Sequence, residues 1–422
     1  MGRVVIVGGG YAGLHAFAQI RKRLASKIKA GDVSLTLVAR DPYHTYHGWT
    51  GEVLAGRLSA ASTLTTLPTL LGGQYIEGDV FNIDLDKRTV SVRTPDDVER
   101  DLPYDHLLVA TGSRDPFSRL PGLAEHGWCL KNTRDMQRFV EHLKTFDGQR
   151  IAVVGGGMAG AETASSLAER FRRLGRDVTI ELITSGDLLF RQLHPRFAKL
   201  AERGTAILRR QRVNIRRGAR VSSVTEYGPV LDNGELIPAD MTVVAAGVEF
   251  VALAGLERLA STPSGRYVAD RNLRATGWTD VWLAGDIAEV ASPRGSGPCP
   301  VDALWAMKQG DRAGANIARA LAGAPPERFK FGGLGQAAGL GNANGISELY
   351  GVTFRGWLAW FIRVTFFAWF MPRRSDGMAV LRSLLVGWAV EGTKAAFGRL
   401  THRGLAPSDQ RSARPRLPTA HS

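Results

Sequence analysis

The chain carries the same turn twice. "VVIVGGGYAGLHAFAQI" (Val4–Ile20) and "IAVVGGGMAGAETASSL" (Ile151–Leu167) each read as an apolar run, a glycine-rich bend and the start of a helical pattern. One GxGxxG in that setting is weak evidence of a nucleotide site, but two copies with matching segments behind them constrain the fold strongly. Each copy is followed by a second apolar run, "VSLTLVARD" (Val33–Asp41) and "VTIELITSG" (Val178–Gly186). Alternating, hairpin-like stretches come next, at 80–92 and 219–231. Each half then has a strand ending in small residues, "YDHLLVATGS" (Tyr104–Ser113) and "ADMTVVAAGV" (Ala239–Val248). The plan predicts an α/β chain with two Rossmann-like dinucleotide-binding domains, the second inserted into the first.

The physics of the turn assigns a role to each glycine. Gly8 and Gly155 make the tight bend, Gly10 and Gly157 let a pyrophosphate approach the backbone, and Gly13 and Gly160 let the helix lie close on its strand. The helix N-terminus then offers unpaired N–H groups and the positive end of its dipole to the phosphates. One later strand, "DVWLAGDIAEV" (Asp280–Val290), ends in Gly285-Asp286. An Asp just past the carboxyl end of a strand, facing the first turn, can accept a hydrogen bond from a ribityl hydroxyl.

Charge and cysteine content narrow the class further. A net charge of +14 over 422 residues favours anionic partners: phosphate-bearing cofactors, acidic headgroups or nucleic acid. The two cysteines, Cys129 and Cys299, form no CxxC, no disulfide framework and no zinc spacing. The chain opens on a strand, without a secretory signal, so the cytoplasmic compartment is expected.

"GWLAWFIRVTFFAWFMPRR" (Gly356–Arg374) is almost wholly apolar, with Arg363 in its middle. It is shorter than the roughly 20 residues that span a bilayer. On a helical wheel Trp357, Trp360, Phe361, Val364, Phe367 and Met371 form one stripe, and Ile362, Phe366 and Trp369 lie opposite. With a second amphipathic stretch at 378–400, this reads as an anchor lying in a membrane interface; burial in the core or in a homodimer is the alternative. The tail 403–422 is polar, basic and expected to be disordered. Without aromatics among its charges it gives no reason to expect a nucleic-acid partner.

A first GxGxxG, an ATG strand, a second GxGxxG and a late AGD strand, in that order, resemble the flavin-dependent pyridine-nucleotide oxidoreductases with two dinucleotide-binding domains. Without a redox-active cysteine pair, the dithiol reductases of that group are excluded. "LTLVARDPYHTYHGWTGEVLAG" (Leu35–Gly56), with Tyr43, His44, Glu52, Val53 and Gly56, resembles the type II NADH dehydrogenases, single-chain NADH:quinone oxidoreductases. So do "GMAGAETA" and the segment Phe331–Arg403. The resemblance implies FAD on the first repeat, with Gly8, Gly10, Tyr11, Ala12, Gly13, Arg40, Asp41, Val80, Ala110, Thr111, Gly112, Gly285 and Asp286. It implies NADH or NADPH on the second, with Gly155, Gly157, Met158, Ala159, Gly160, Thr184, Ala246 and Gly247. Glu162 would be the catalytic residue beside the nicotinamide, with no metal involved, and electrons would pass to a membrane quinone at the cytoplasmic face.

The implied layout is an FAD domain at 1–113 and 251–330, an NAD(P)H domain at 114–250 and a C-terminal helical membrane-docking region at 331–402. Ending the chain near Gly335 is then expected to spare flavin binding and dye-linked NAD(P)H oxidation. Three positions depart from the pattern. Ala39 stands where an acid would bond the ribose, with Asp41 as the substitute, and Thr184 leaves NADH against NADPH open. Leu304 follows Ala303 where the family's quinone-site helix has Ala-Gln. Two other readings remain: a sulfide:quinone reductase-like flavoprotein using Cys129 and Cys299, or a membrane-docked redox sensor with little turnover. His44 and His47, at the predicted flavin edge, are either proton relays or polar packing.

Overall fold

A computed structural model describes residues 2–250, 252–295 and 297–403, with the backbone alone for 391–403. The expected disordered tail lies outside the described residues, apart from Arg403, which ends a helix. The duplicated sequence becomes two five-stranded sheets. In the first the order is Val281–Leu283, His106–Val109, Gly2–Val7, Val33–Ala39, Tyr75–Glu77. In the second it is Gly127–Cys129, Met241–Val244, Arg150–Val154, Thr179–Ile183, Val213–Arg216. All pairings in both are parallel. Val4–Val7 and Ile151–Val154 are buried throughout, because helices and loops cover a parallel sheet on both faces.

Register places the strand ends together. Val7 pairs with both Val38 and Val109, and Val154 with both Ile183 and Val244. The glycine turn, the second apolar run and the ATG or AAG strand of each half therefore finish side by side. That is the crevice at the carboxyl ends of the strands where α/β sheets bind ligands. The hairpin-like stretches are antiparallel, as the alternation predicted: Asp79–Asp84, Thr89–Arg93 and Glu99–Pro103 in one half, Val221–Thr225 and Gly228–Leu231 in the other.

A late helix, Ala303–Leu321, closes the first half. Its Gly310 and Gly314 lie against Ala12 and Ala16 of the helix Tyr11–Arg23, so closely that an added Cβ would strike their backbone. This contact carries the helix start, capped by Asp302 Oδ1 accepting from Leu304 N at 2.8 Å, over the first glycine turn.

After Phe331 the chain forms a three-stranded antiparallel sheet, Gly335–Gly339, Gly345–Leu349 and Val352–Arg355. The aromatic helix Gly356–Phe370 and the helix Arg374–Arg403 follow. No helix among the described residues is long and apolar enough to cross a membrane. Here the structure corrects two expectations. Ala338, Leu340, Ile346, Trp360, Val364 and Ala368 share one core with Ile151, Val153 and Leu182 of the second half. Cutting at Gly335 therefore opens that core instead of removing an appendage. The buried face of the helix also differs from the wheel's stripe: it holds Ala359, Trp360, Arg363, Val364 and Ala368, so only Trp360 and Val364 of that stripe are fully buried among the side chains of this helix. Ile362 and Phe366, expected to face away, line a cavity.

Candidate active site

Each glycine turn opens onto a cavity. Gly8 has φ +119° and Gly155 φ +137°, values that favour glycine, and a Cβ on Gly13 or Gly160 would collide with the carbonyl of Gly8 or Gly155. The bend and the close helix approach are thus both built as the spacing predicted. Neither helix has a side-chain cap or an acid in its first turn, which leaves the N-terminal N–H groups to a ligand.

The first cavity, about 620 Å³, is lined by Gly10, Tyr11, Ala12, Asp41, Ala110, Thr111, Gly112, Gly285 and Asp286, all predicted, and by Glu162. Gly8 and Gly13 shape the turn without lining it. Arg40 instead pairs with Asp79 at 2.7 Å on the surface, and Val80 packs against the core. The residues suit a dinucleotide: a Cβ on Gly10 or Gly112 would meet nothing within 4 Å, and the buried Thr111 hydroxyl has no partner among the described residues.

The second cavity, about 690 Å³, is lined by Gly155, Gly157, Met158, Ala159, Ala246 and Gly247. Gly160 sits beneath it, and Thr184 is buried behind Gly156, whose Cβ would meet the Thr184 side chain. The far wall is apolar: Tyr46, Leu304, Met307, Ile362, Phe366 and Phe367. Ala159, Ala245, Gly247, Val248, Val301 and Asp302 line both cavities, so the two meet along one wall.

Several residues of this region escaped the sequence reading. Lys131 Nζ lies 3.2 Å from Asp286 Oδ2, and Ser113 Oγ donates to the same oxygen at 2.6 Å. The Asp expected to hold a ribityl hydroxyl is thus anchored by a lysine 155 residues away, a pairing only the fold reveals. Asp115 also lines this cavity, and burial pushes its carboxyl up to about 6. Tyr11 accepts a bond from His47 N at 2.9 Å and meets His44 edge-on. Burial pulls His44 down to about 3 and His47 to about 4, so both are neutral near pH 7 and suit polar packing better than proton uptake.

Glu162 Oε1 accepts from Gly339 N at 2.6 Å and lies 3.0 Å from Arg363 Nη2. Burial raises its carboxyl, and Arg363 opposes the rise. Cys129 and Cys299 are buried in separate clusters and line neither cavity. Burial raises both thiols, Cys299 to about 11.

The arrangement of two nucleotide turns on one shared wall defines a class, and comparison with known proteins agrees. The chain matches the pyridine nucleotide-disulphide oxidoreductase description over residues 2–310, and it belongs to that family. Among curated relatives it is similar to the type II NADH:quinone oxidoreductase of Staphylococcus aureus (strain NCTC 8325), 25% identical over 383 residues, covering 86% of this chain and 93% of that one. The enzyme of the same name from Staphylococcus saprophyticus is 24% identical over 387 residues, with the same coverage. Two solved structures share the fold. NDH2 from Plasmodium falciparum in complex with NADH has TM-score 0.75 at 12% identity, over 91% of this chain and 97% of that one. The sulfide:quinone oxidoreductase of Aquifex aeolicus has TM-score 0.72 at 16% identity, over 89% and 92%.

Proposed function

We propose that the chain is an FAD-dependent NAD(P)H:quinone oxidoreductase working at a membrane surface. The shared wall carries this reading, because it brings a ligand on the second turn next to one on the first. The relatives' name supplies donor and acceptor, NADH and a quinone. FAD, when bound, supplies the two-electron relay between a hydride donor and a quinone. The protein positions and tunes. The helix starts at Tyr11 and Met158 hold phosphates, and Asp286, fixed by Lys131 and Ser113, accepts a ribityl hydroxyl. Glu162 orients the nicotinamide and handles the proton at its carboxylate. The apolar wall of Leu304, Met307, Ile362, Phe366 and Phe367 suits a quinone ring and excludes water. Leu304 contributes shape there and no amide.

Thr184, buried behind Gly156, puts no carboxylate at the end of its strand to repel a 2′-phosphate, so NADPH is tolerated beside NADH. The acceptor's solubility argues for docking on lipid. Trp357, Leu358, Trp369, Met378, Val386 and Trp388 are exposed on the two C-terminal helices, with Arg373, Arg374 and Arg382 among them. That combination fits an interfacial anchor on the cytoplasmic face. The cysteines, away from both cavities, give no support to sulfide as donor.

The test is spectroscopic. Protein purified with FAD should be yellow, and without oxygen NADH should bleach it while sulfide does not. Bleaching by sulfide alone, or no flavin retained after FAD is supplied, would overturn the reading. On sucrose gradients, flotation with anionic vesicles is expected, and a soluble dimer would assign the exposed face to a second copy instead.

A further inference from the structure

The aromatic helix drives one charge into the core. The Arg363 side chain is 2% exposed and meets three other segments. Its Nη1 donates to Glu52 Oε1 at 2.6 Å and its Nη2 to the Gly48 carbonyl at 2.9 Å, while the Phe367 ring lies 4.7 Å from the guanidinium carbon. Nη2 is also 3.0 Å from Glu162 Oε1, the oxygen that takes the Gly339 N–H. Glu162 lines the first cavity and Arg363 the second, so the pair stands where the two meet. A guanidinium so buried is tolerated only when carboxylates accompany it, and removing one partner leaves an uncompensated charge.

We infer that Arg363 is a positioning residue, fixing the Glu162 carboxylate at the junction of the two cavities, so that the region after Phe331 completes the site and does not merely dock it. This rests on the oxidoreductase reading of the cavities. Three charged or donor groups act on Glu162 directly. Arg363 and the Gly339 N–H favour its anion, whereas Glu52, on the short helix Thr50–Leu54, opposes it. His44, His47, Asp115, Lys131, Asp286 and Asp302 line the same cavity. Glu169, two turns along the Glu162 helix, is committed to Arg57. The two neighbours of Glu162 thus pull its titration in opposite directions.

The experiment is a pH titration of the Glu162 carboxyl by difference infrared spectroscopy on the full-length, FAD-loaded chain, the band assigned by its loss in Glu162→Gln. Arg363→Met should move the midpoint up by about 1–3 pH units, the usual effect of losing a close opposite charge. Glu52→Gln should move it down, and Arg363→Lys should restore part of the difference. Flavin reduction by NADH, followed by stopped flow, should show its acid limb shifting in the same two directions. Midpoints that stay put in both variants, or shift the same way, would overturn the inference. If Arg363→Met does not fold, Glu52→Gln and Arg363→Lys still decide it. A wild-type protein never bleached by NADH would contradict the proposed function alone, since the infrared midpoints are read without turnover.

Discussion

His44 is 3% exposed, and its Nδ1 lies 3.2 Å from the Gly9 carbonyl, with no acid among the described residues paired to it. Burial holds it neutral down to about pH 3, whereas in the unfolded chain it protonates near 6.5. A depressed folded value means that the unfolded state takes up protons first as pH falls. The penalty is small at pH 7 and above and reaches ~2 kcal/mol near pH 5. Wild-type protein should therefore lose more melting temperature between pH 7 and pH 5 than a His44→Gln variant; equal losses would show that His44 titrates normally. At the proposed flavin site, Asp286→Ala removes a charged acceptor, and retention of FAD should weaken by about 1.5–3 kcal/mol in equilibrium dialysis. Thr184→Glu should shift the ratio of kcat/KM values toward NADH, and a shift toward NADPH would place the donor's ribose elsewhere. Single residues were the least legible scale of the sequence. The glycines could be read because each is demanded by a local backbone shape. Lys131 and Arg363 could not, because their partners Asp286 and Glu52 lie 155 and 311 residues away and no local pattern records them.

Elements were legible wherever period and punctuation agreed. Val4–Val7 and Ile151–Val154 are continuous apolar runs ending in glycine, and both became central parallel strands. The aromatic helix was recognised but not its orientation, because a helix apolar nearly all round has no preferred face on a wheel. Its bearing is set by the ion pairs of Arg363 with Glu52 and Glu162 and by small residues such as Ala359 and Ala368, which let the helix approach the core. Packing between helices is equally strict where backbones touch. Gly310→Ala puts a Cβ against the Ala12 backbone and should cost about 3 kcal/mol, at the upper end for overpacking. Because the helix start shapes the first cavity, flavin retention should fall together with the melting temperature. At the outer surface the direction reverses. Trp369, 61% exposed, should be replaceable by Ser with a change in melting temperature too small to resolve and a clear loss of vesicle flotation.

Across the whole molecule, the sequence reading divided the chain into a catalytic part and a docking part, and the structure joins them. Ala338, Ile346, Trp360 and Val364 complete a core begun by Ile151 and Leu182, and Gly339 and Arg363 reach Glu162. A chain ended at Gly335 is therefore expected to aggregate or to lose dye-linked NADH oxidation, and a soluble, active fragment would restore the modular view. The two-domain plan itself was readable because duplication repeats its signal, and a fortuitous second copy of turn, run and strand end is improbable. On the proposed reading, the two cavities that share one wall pass electrons from a nicotinamide to a quinone. A single-turnover experiment on vesicle-bound, FAD-loaded protein without oxygen tests it most directly. Stoichiometric NADH should bleach the flavin, and a quinone dissolved in the same bilayer should then restore the yellow absorbance. Flavin that NADH leaves oxidised, or that stays bleached when the quinone arrives, would contradict it.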